Sequence, residues 1–572
     1  MNFNKKLAVA VSGAVLLMAG QFALADSATD IVDAVVSKGV LTEEEGKLIT
    51  KGHTSKTAVT PVVKEKDGAF TLESANGRNS IQLTGRIHLD YRQNNLDMYN
   101  TDFNDRDTAS TADNFELRRA RLGVKGKFAK DFKYEIVGNL PGTATVDVAY
   151  IDYAKYDQAQ IRVGKFKQPF GLEQLTSSNN IDFMERSYVD QLAPAKKIGA
   201  MLFGEPKPGF TYAGSVFAMN DTEMDAKNDK ASFAGRATLN FAQFAGNKDM
   251  IAHVGLAGFD SEYNINPANS SATGGATNRG SFLAYRTPGR GLSSVFRAQI
   301  GGEAGSTTTT TIAANPAVPA SCSVGIASGT AVNALNCTTA GGTFTPAVAG
   351  TPSQTVTVQN TGLADLSNST SQIKSQAIGL EGIFAIKNFK VQGEFAKADF
   401  KAKTGVGGTG VREAESFNLD TQAWYAEALW LATGEKYADA YKAGTFSSIK
   451  PISDFDLDNG KWGAWEFGLK YEEYKVDNMN ISLANPGLGT RAQGTLNCAT
   501  NGTGATAAVN NGCESKSRTY TAGIKWILNP NARILANYSR TNFGNGMEFY
   551  DLDDAKIMRH EDIVMVRTQF AF

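Results

Sequence analysis

From Ile81 to Arg92 apolar and polar residues alternate: Ile81, Leu83, Gly85, Ile87, Leu89 and Tyr91 form one set, and Gln82, Thr84, Arg86, His88, Asp90 and Arg92 the other. Side chains of a strand point alternately to its two faces, so this spacing predicts a strand with one apolar and one wet face. The pattern recurs with Phe132, Tyr134 and Ile136 against Lys133 and Glu135, and with Phe389, Val391 and Phe395 against Lys390, Gln392 and Glu394. It returns with Trp465, Phe467, Leu469 and Tyr471 against Glu466, Lys470 and Glu472, and with Ala522, Ile524 and Trp526 against Thr521, Gly523 and Lys525. Roughly twelve to sixteen such segments, separated by polar inserts, predict an all-β chain. Charge this dense on one face suits a wall with lipid on one side and water on the other better than a dry sandwich core.

The last segment agrees. Val564, Val566, Thr568, Phe570 and Phe572 share one face, and Arg567 and Gln569 the other. An amphipathic final strand ending in an aromatic residue fits a lipid-facing barrel strand, and resembles the assembly signal at the C-terminus of bacterial outer-membrane barrels. At the other end, Lys5 and Lys6, the apolar run Leu7–Met18 and Ala23-Leu24-Ala25 read as a signal peptide over residues 1–25. The fold expectation is therefore a transmembrane antiparallel β-barrel over 67–572. No later apolar run approaches the roughly 20 residues of a membrane-crossing helix. The formal charge of −1 names no partner class and gives no sign of nucleic-acid binding.

Residues 26–66 break the pattern. Ile31, Val35, Val36, Leu41, Leu48 and Ile49 recur at helical spacing, and Thr42 before Glu43-Glu44-Glu45 reads as a helix start. We expect a short helical periplasmic extension and linker there. Short turns such as Ile386-Lys387-Asn388 and Asn529-Pro530-Asn531 suit the periplasmic side, and long inserts at about 301–375 and 485–515 the exterior. Each insert holds two cysteines at the same interval, so Cys322–Cys337 and Cys498–Cys513 are the expected disulfides, with pairing between the inserts the alternative. Each would stabilise by about 3 kcal/mol if unstrained. Asp102, Asp105 and Asp107 lack the glycine and terminal glutamate of an EF-hand and read as a solvated loop. No metal or cofactor is expected, and no nucleophile–base constellation marks an enzyme.

The densest chemistry lies between Phe115 and Arg186. Arg119, Arg121, Lys125 and Lys127 share one strand face, with Arg118 beside them, followed by Gly164-Lys165-Phe166, Pro169-Phe170-Gly171-Leu172-Glu173, Thr176-Ser177-Ser178 and Met184-Glu185-Arg186. With Gly85-Arg86, Asp131-Phe132-Lys133-Tyr134, Thr433-Gly434-Glu435, Ile449-Lys450-Pro451 and Gly463-Ala464-Trp465-Glu466, this order resembles the phosphate-selective porin O and P family. The resemblance implies a sixteen-stranded barrel in the Gram-negative outer membrane, usually a homotrimer, with a loop folded inward to a constriction that binds phosphate or polyphosphate.

Carried over by motif, Arg86, Arg118 and Arg119 correspond to constriction arginines, Lys133 to a basic pore-lining position and Asp147 to an acidic one. Glu173 to Ser178 would lie in or beside the inward loop. Arg121, Lys125, Lys127 and Arg567 are further pore-lining candidates. Two departures are visible: Asn179 follows Thr-Ser-Ser where phosphate-selective members carry lysine, and Arg279, Arg286 and Arg290 make a thin external ladder. Weaker steering and a broader anion range would follow. The alternatives are a general or differently selective porin, or a structural or adhesive surface barrel; the partners expected are small anions and outer-membrane lipid.

Overall fold

The computed structural model describes residues 32, 36, 38, 41–49, 60–66, 69–94, 114–219, 230–265, 280–289, 296–300, 307–312, 321–323, 343–345, 354–359, 371–404, 416–477, 490–491, 515–543, 549–551, 556–558 and 560–572. The expected signal peptide, the acidic stretch 97–113 and Cys337, Cys498 and Cys513 lie outside them, so neither disulfide expectation can be placed.

Sixteen strands form the wall: β1 (Ser80–Asn94), β2 (Asn114–Phe128), β3 (Phe132–Asn139), β4 (Thr145–Tyr156), β5 (Ala159–Lys167), β6 (Lys196–Lys207), β7 (Phe210–Phe217) and β8 (Ser232–Asn240). They continue with β9 (Met250–Ile265), β10 (Ser371–Ile386), β11 (Phe389–Thr404), β12 (Ser416–Leu431), β13 (Ala464–Asp477), β14 (Ser515–Ile527), β15 (Ala532–Phe543) and β16 (His560–Ala571). Each pairs antiparallel with the next, and β16 returns to β1, with Ala571 opposite Arg86 and Ile563 opposite Asn94. The Gly85 and Phe572 backbones exchange hydrogen bonds across that seam at 2.9 and 3.1 Å. Closure removes the unpaired edges that lipid would not tolerate.

The alternation read from the sequence sets which way each strand faces. Ile81, Ile87, Leu89, Val564 and Phe570 are exposed on the outside, whereas His88, Asp90, Arg567 and Gln569 are buried inside. Stacked Trp465 and Trp526, 5.1 Å between ring centroids, mark one aromatic girdle. Tyr471 and Tyr520, 5.0 Å apart, mark the other.

Two features precede the barrel. Thr42 Oγ1 accepts from the Glu45 N–H (3.2 Å) and the Glu45 carboxylate accepts from the Thr42 N–H (2.9 Å), a capping box that starts the helical turns of 43–49. A hairpin of Val62–Lys66 and Ala69–Glu73 then extends the ladder beside β1, with Glu73 opposite Ser80.

The longest insert runs over 266–370 between β9 and β10, so it begins well before residue 301. The physical reason is that Gly280–Tyr285 and Phe296–Ile300 pair with each other, not with the wall.

Among the described residues, three connections fold into the lumen. The loop 168–195 between β5 and β6 carries a short helix, α1 (Leu172–Leu175), and a 3-10 turn (Tyr188–Leu192). Its Phe170, Leu172, Phe183, Met184, Tyr188 and Val189 are buried. The wall leaves room by presenting small residues: a Cβ on Gly468 or Gly523 would stand 3.0 or 2.9 Å from the Phe183 ring. Burying one such ring contributes roughly 1.5–3 kcal/mol. Leu283 and Tyr285 of the long insert pack above, with Tyr285 stacked 4.1 Å from Tyr474. From the opposite end the connection 432–463 enters, its hairpin Tyr441–Lys442/Thr445–Phe446 reaching Asn180 of the loop through the Phe446 carbonyl (3.4 Å).

Candidate functional site, an arginine-lined constriction

The inward loop is fastened on the β11–β14 side. Asp182 accepts from Lys390 (2.9 Å) and Gln392 (3.2 Å), and Lys525 lies 3.6 Å away. Glu394 accepts the N–H groups of Leu172 (2.8 Å) and Glu173 (2.7 Å) and the Tyr425 hydroxyl (2.8 Å). Gly171 makes that approach with φ of 77°, a conformation costly for other residues. Glu472 takes the Tyr188 N–H at 2.9 Å. Within the loop, burial pushes the Glu173 carboxyl up to about 7, while Lys470 and the bonds from Ser187 oppose the shift.

With that half of the lumen filled, a cavity of about 1540 Å³ remains along β1–β8. Arg86, Arg119, Arg121, Lys133, Arg162, Lys165, Lys167, Arg186, Lys196, Arg236 and Lys442 line it, against Glu135, Asp147, Asp157, Asp190 and Glu205. Positive side chains outnumber negative ones about two to one, so the water-filled space carries a positive field.

At the level of the loop the cations converge. Arg86 donates to the hydroxyls of Ser178 (2.8 Å) and Ser177 (3.3 Å). Arg186 holds the loop carbonyls of Glu173 (2.8 Å) and Thr176 (2.9 Å), and Lys167 those of Leu175 (3.2 Å) and Thr176 (2.9 Å). Asp147 is shared by Arg121 (2.8 Å) and Lys196, two cations on one carboxylate. Among the described residues Arg119 has no hydrogen bond or ion pair, and the Nε–H groups of Arg86 and Arg119 are buried without a partner. Guanidinium groups supply forked donors of permanent charge, and Arg119 presents one to the cavity beside Arg86 and the Ser177 and Ser178 hydroxyls, a lining suited to an oxyanion.

The structure thus brings Arg86, Arg119, Arg121, Lys133 and Asp147 to one cavity. Arg118 is placed elsewhere, its guanidinium on Glu185 at 3.2 Å. Arg567 is 1% exposed, bound to Asp90 (2.6 Å), the Met184 carbonyl and Glu185 (3.2 Å). Arg92 joins the same Glu185 at 2.7 Å, so three arginines spend their charge holding the loop. Lys125 and Lys127 stand opposite Glu135 and Lys133 in the ladder, on the same lumen-facing side, but are not among the residues lining this cavity. His88 is buried against Asn179 at 3.1 Å. Sequence reasoning missed Arg186, Lys167 and Lys196 as lining groups; each stands at the root or within the inward loop, and only the motif around Arg186 hinted at it.

A family model described as "Phosphate-selective porin O and P" matches residues 81–282 and 297–572. Porin O of Pseudomonas aeruginosa is 22% identical over 489 residues, 83% of this chain and 86% of that protein. Among solved structures, OmpT of Vibrio cholerae superposes with a TM-score of 0.42 at 8% identity, over 86% of this chain and 98% of that one. An anion-selective porin from Comamonas acidovorans gives 0.40 at 11% identity, over 86% and 100%.

Proposed function

Because the chain belongs to the phosphate-selective porin O and P family, and is thus an outer-membrane channel of a Gram-negative bacterium and not an enzyme, we propose that it conducts phosphate or closely related small oxyanions by passive diffusion. The observation that carries this reading is the Arg119 guanidinium, without a partner among the described residues, on the same cavity wall as Arg86 and the Ser177 and Ser178 hydroxyls that Arg86 holds, at the level of the inward loop. An anion about 4 Å from one arginine gains roughly 4 kcal/mol at an effective dielectric near 20. Passage also requires weak binding at several stations. Lys133, Arg162 and Lys165 on the wall and Lys442 on the periplasmic hairpin continue the positive lining beyond the constriction. Asp147 occupies two of the nearby cations and moderates the trap.

Assembly as a homotrimer belongs to the same proposal. The test is a planar-bilayer recording in a salt gradient, with phosphate then added to a chloride-carried current. The proposal requires an anionic reversal potential and a current reduced by millimolar phosphate. Cation selectivity would overturn it, and anion selectivity indifferent to phosphate would leave a general anion porin.

A further inference from the structure

The outer surface of the barrel carries a second set of positive side chains that the pore does not use. On the outward face of β13 to β16, Glu473, Arg518, Asn542 and His560 lie on one rung of the ladder. Tyr471, Tyr520, Arg540 and Asp562 lie on the rung next nearer the membrane centre, and Lys516 on the rung beyond. Diagonal neighbours on adjacent strands are about 7–8 Å apart, so Arg518 and Arg540 stand within reach of one ligand.

The carboxylates here are oversubscribed. Glu473 receives Arg518 (2.8 Å), Lys516 (3.0 Å) and the Tyr471 hydroxyl (3.0 Å). Asp562 receives the Tyr538 hydroxyl (2.7 Å), with Arg540 at 3.7 Å and His560 at 3.4 Å. The acids hold the cations in place and leave a positive remainder, with Arg518 52% and Arg540 46% exposed. The level is fixed by aromatic rings on these same rungs: Trp424, opposite Glu473, packs on Tyr471 at 4.9 Å, and Tyr471, on the rung of Arg540, packs on Tyr520 at 5.0 Å, an aromatic girdle of the kind that sits at a membrane interface. This girdle is on the side of the long inserts, hence in the outer leaflet.

We infer that Lys516, Arg518 and Arg540 form a docking site for the phosphorylated headgroup of an outer-leaflet glycolipid. The face points out of the barrel, so pore anions do not reach it. Its charges sit at headgroup depth, and guanidinium groups match phosphate geometrically. The flanking tyrosines give the acyl-proximal part of the lipid an amphipathic surface.

The test uses the full chain in mild detergent, with native mass spectrometry after adding either bis-phosphorylated lipid A or its dephosphorylated form. The phosphorylated lipid should be retained and the dephosphorylated form not. Arg518→Ala with Arg540→Ala should lower retention by at least about tenfold, while single-channel conductance stays unchanged. Glu473→Gln, which frees two cations, should raise retention, and it answers the question if the double variant fails to fold. Equal retention of the two lipids, or Glu473→Gln retaining no more than the parent, would overturn the inference. So would a folded double variant that retains as much as the parent, or crosslinks showing that a second copy covers residue 518.

Discussion

Arg118 and Arg119 are adjacent, yet one is spent on Glu185 and the other faces the cavity with no partner among the described residues. Arg119→Ala should therefore reduce phosphate affinity, read as block of chloride current, by about tenfold, a fraction of the Coulomb gain of one guanidinium in a narrow pore. Arg118→Ala should leave phosphate block nearly unchanged and instead loosen the loop, seen as noisier current. Asp147→Asn frees Arg121 and Lys196 and should tighten phosphate binding while lowering the current at saturating phosphate, since a deeper trap releases more slowly. That β2 carries a basic face was legible from residue spacing. Which of its arginines remain unspent was not, because Glu185 arrives from a segment 67 residues away.

At the scale of elements, the inward loop is an insert pinned by a few buried groups, and the pins make separable predictions. Phe183→Ala empties the pocket beside Gly468 and Gly523, should cost about 3–5 kcal/mol, and should raise single-channel conductance as the loop lifts. Asp182→Asn leaves Lys390 buried without its carboxylate, while Lys525 keeps Glu466 at 3.0 Å, and should cost about 3–5 kcal/mol, read as a lower thermal midpoint. Glu173 adds a pH dependence. Its carboxyl is raised from 4.5 to about 7 in the folded chain, so its contribution to stability is full below pH 4.5 and is lost as pH rises through 7. Glu173→Gln should accordingly flatten the change in thermal midpoint between pH 5 and 8. The wall strands were legible because a membrane wall forces strict alternation. The three connections inside the lumen were not: a polar insert such as 432–463 reads alike whether it lies in water outside or packs within, and only contacts such as Asn180 with Phe446 decide it.

For the whole molecule, the sixteen-strand ring and its seam divide the labour. Strands β9–β16 enclose the packed half of the lumen and, with Arg92 of β1 and Arg118 of β2, hold the loop, whereas β1–β8 face the open half and carry its charge. The closed antiparallel ring was readable from the sequence through the apolar and polar sets of β1 and the final aromatic strand. The asymmetry of its interior was not, since it depends on small residues such as Gly379, Ala396 and Ala398 opposite Phe170 and its neighbours. On the proposed function, the open half is a positively lined path narrowed at Arg86 and Arg119. That path is tested most directly by the reversal potential of the purified channel under a potassium chloride gradient, parent against Arg86→Ala with Arg119→Ala. An anion-selective parent whose preference collapses toward neutrality in the variant is expected; a parent that favours potassium, or a variant with undiminished anion preference, would overturn the assignment of Arg86 and Arg119 to the constriction.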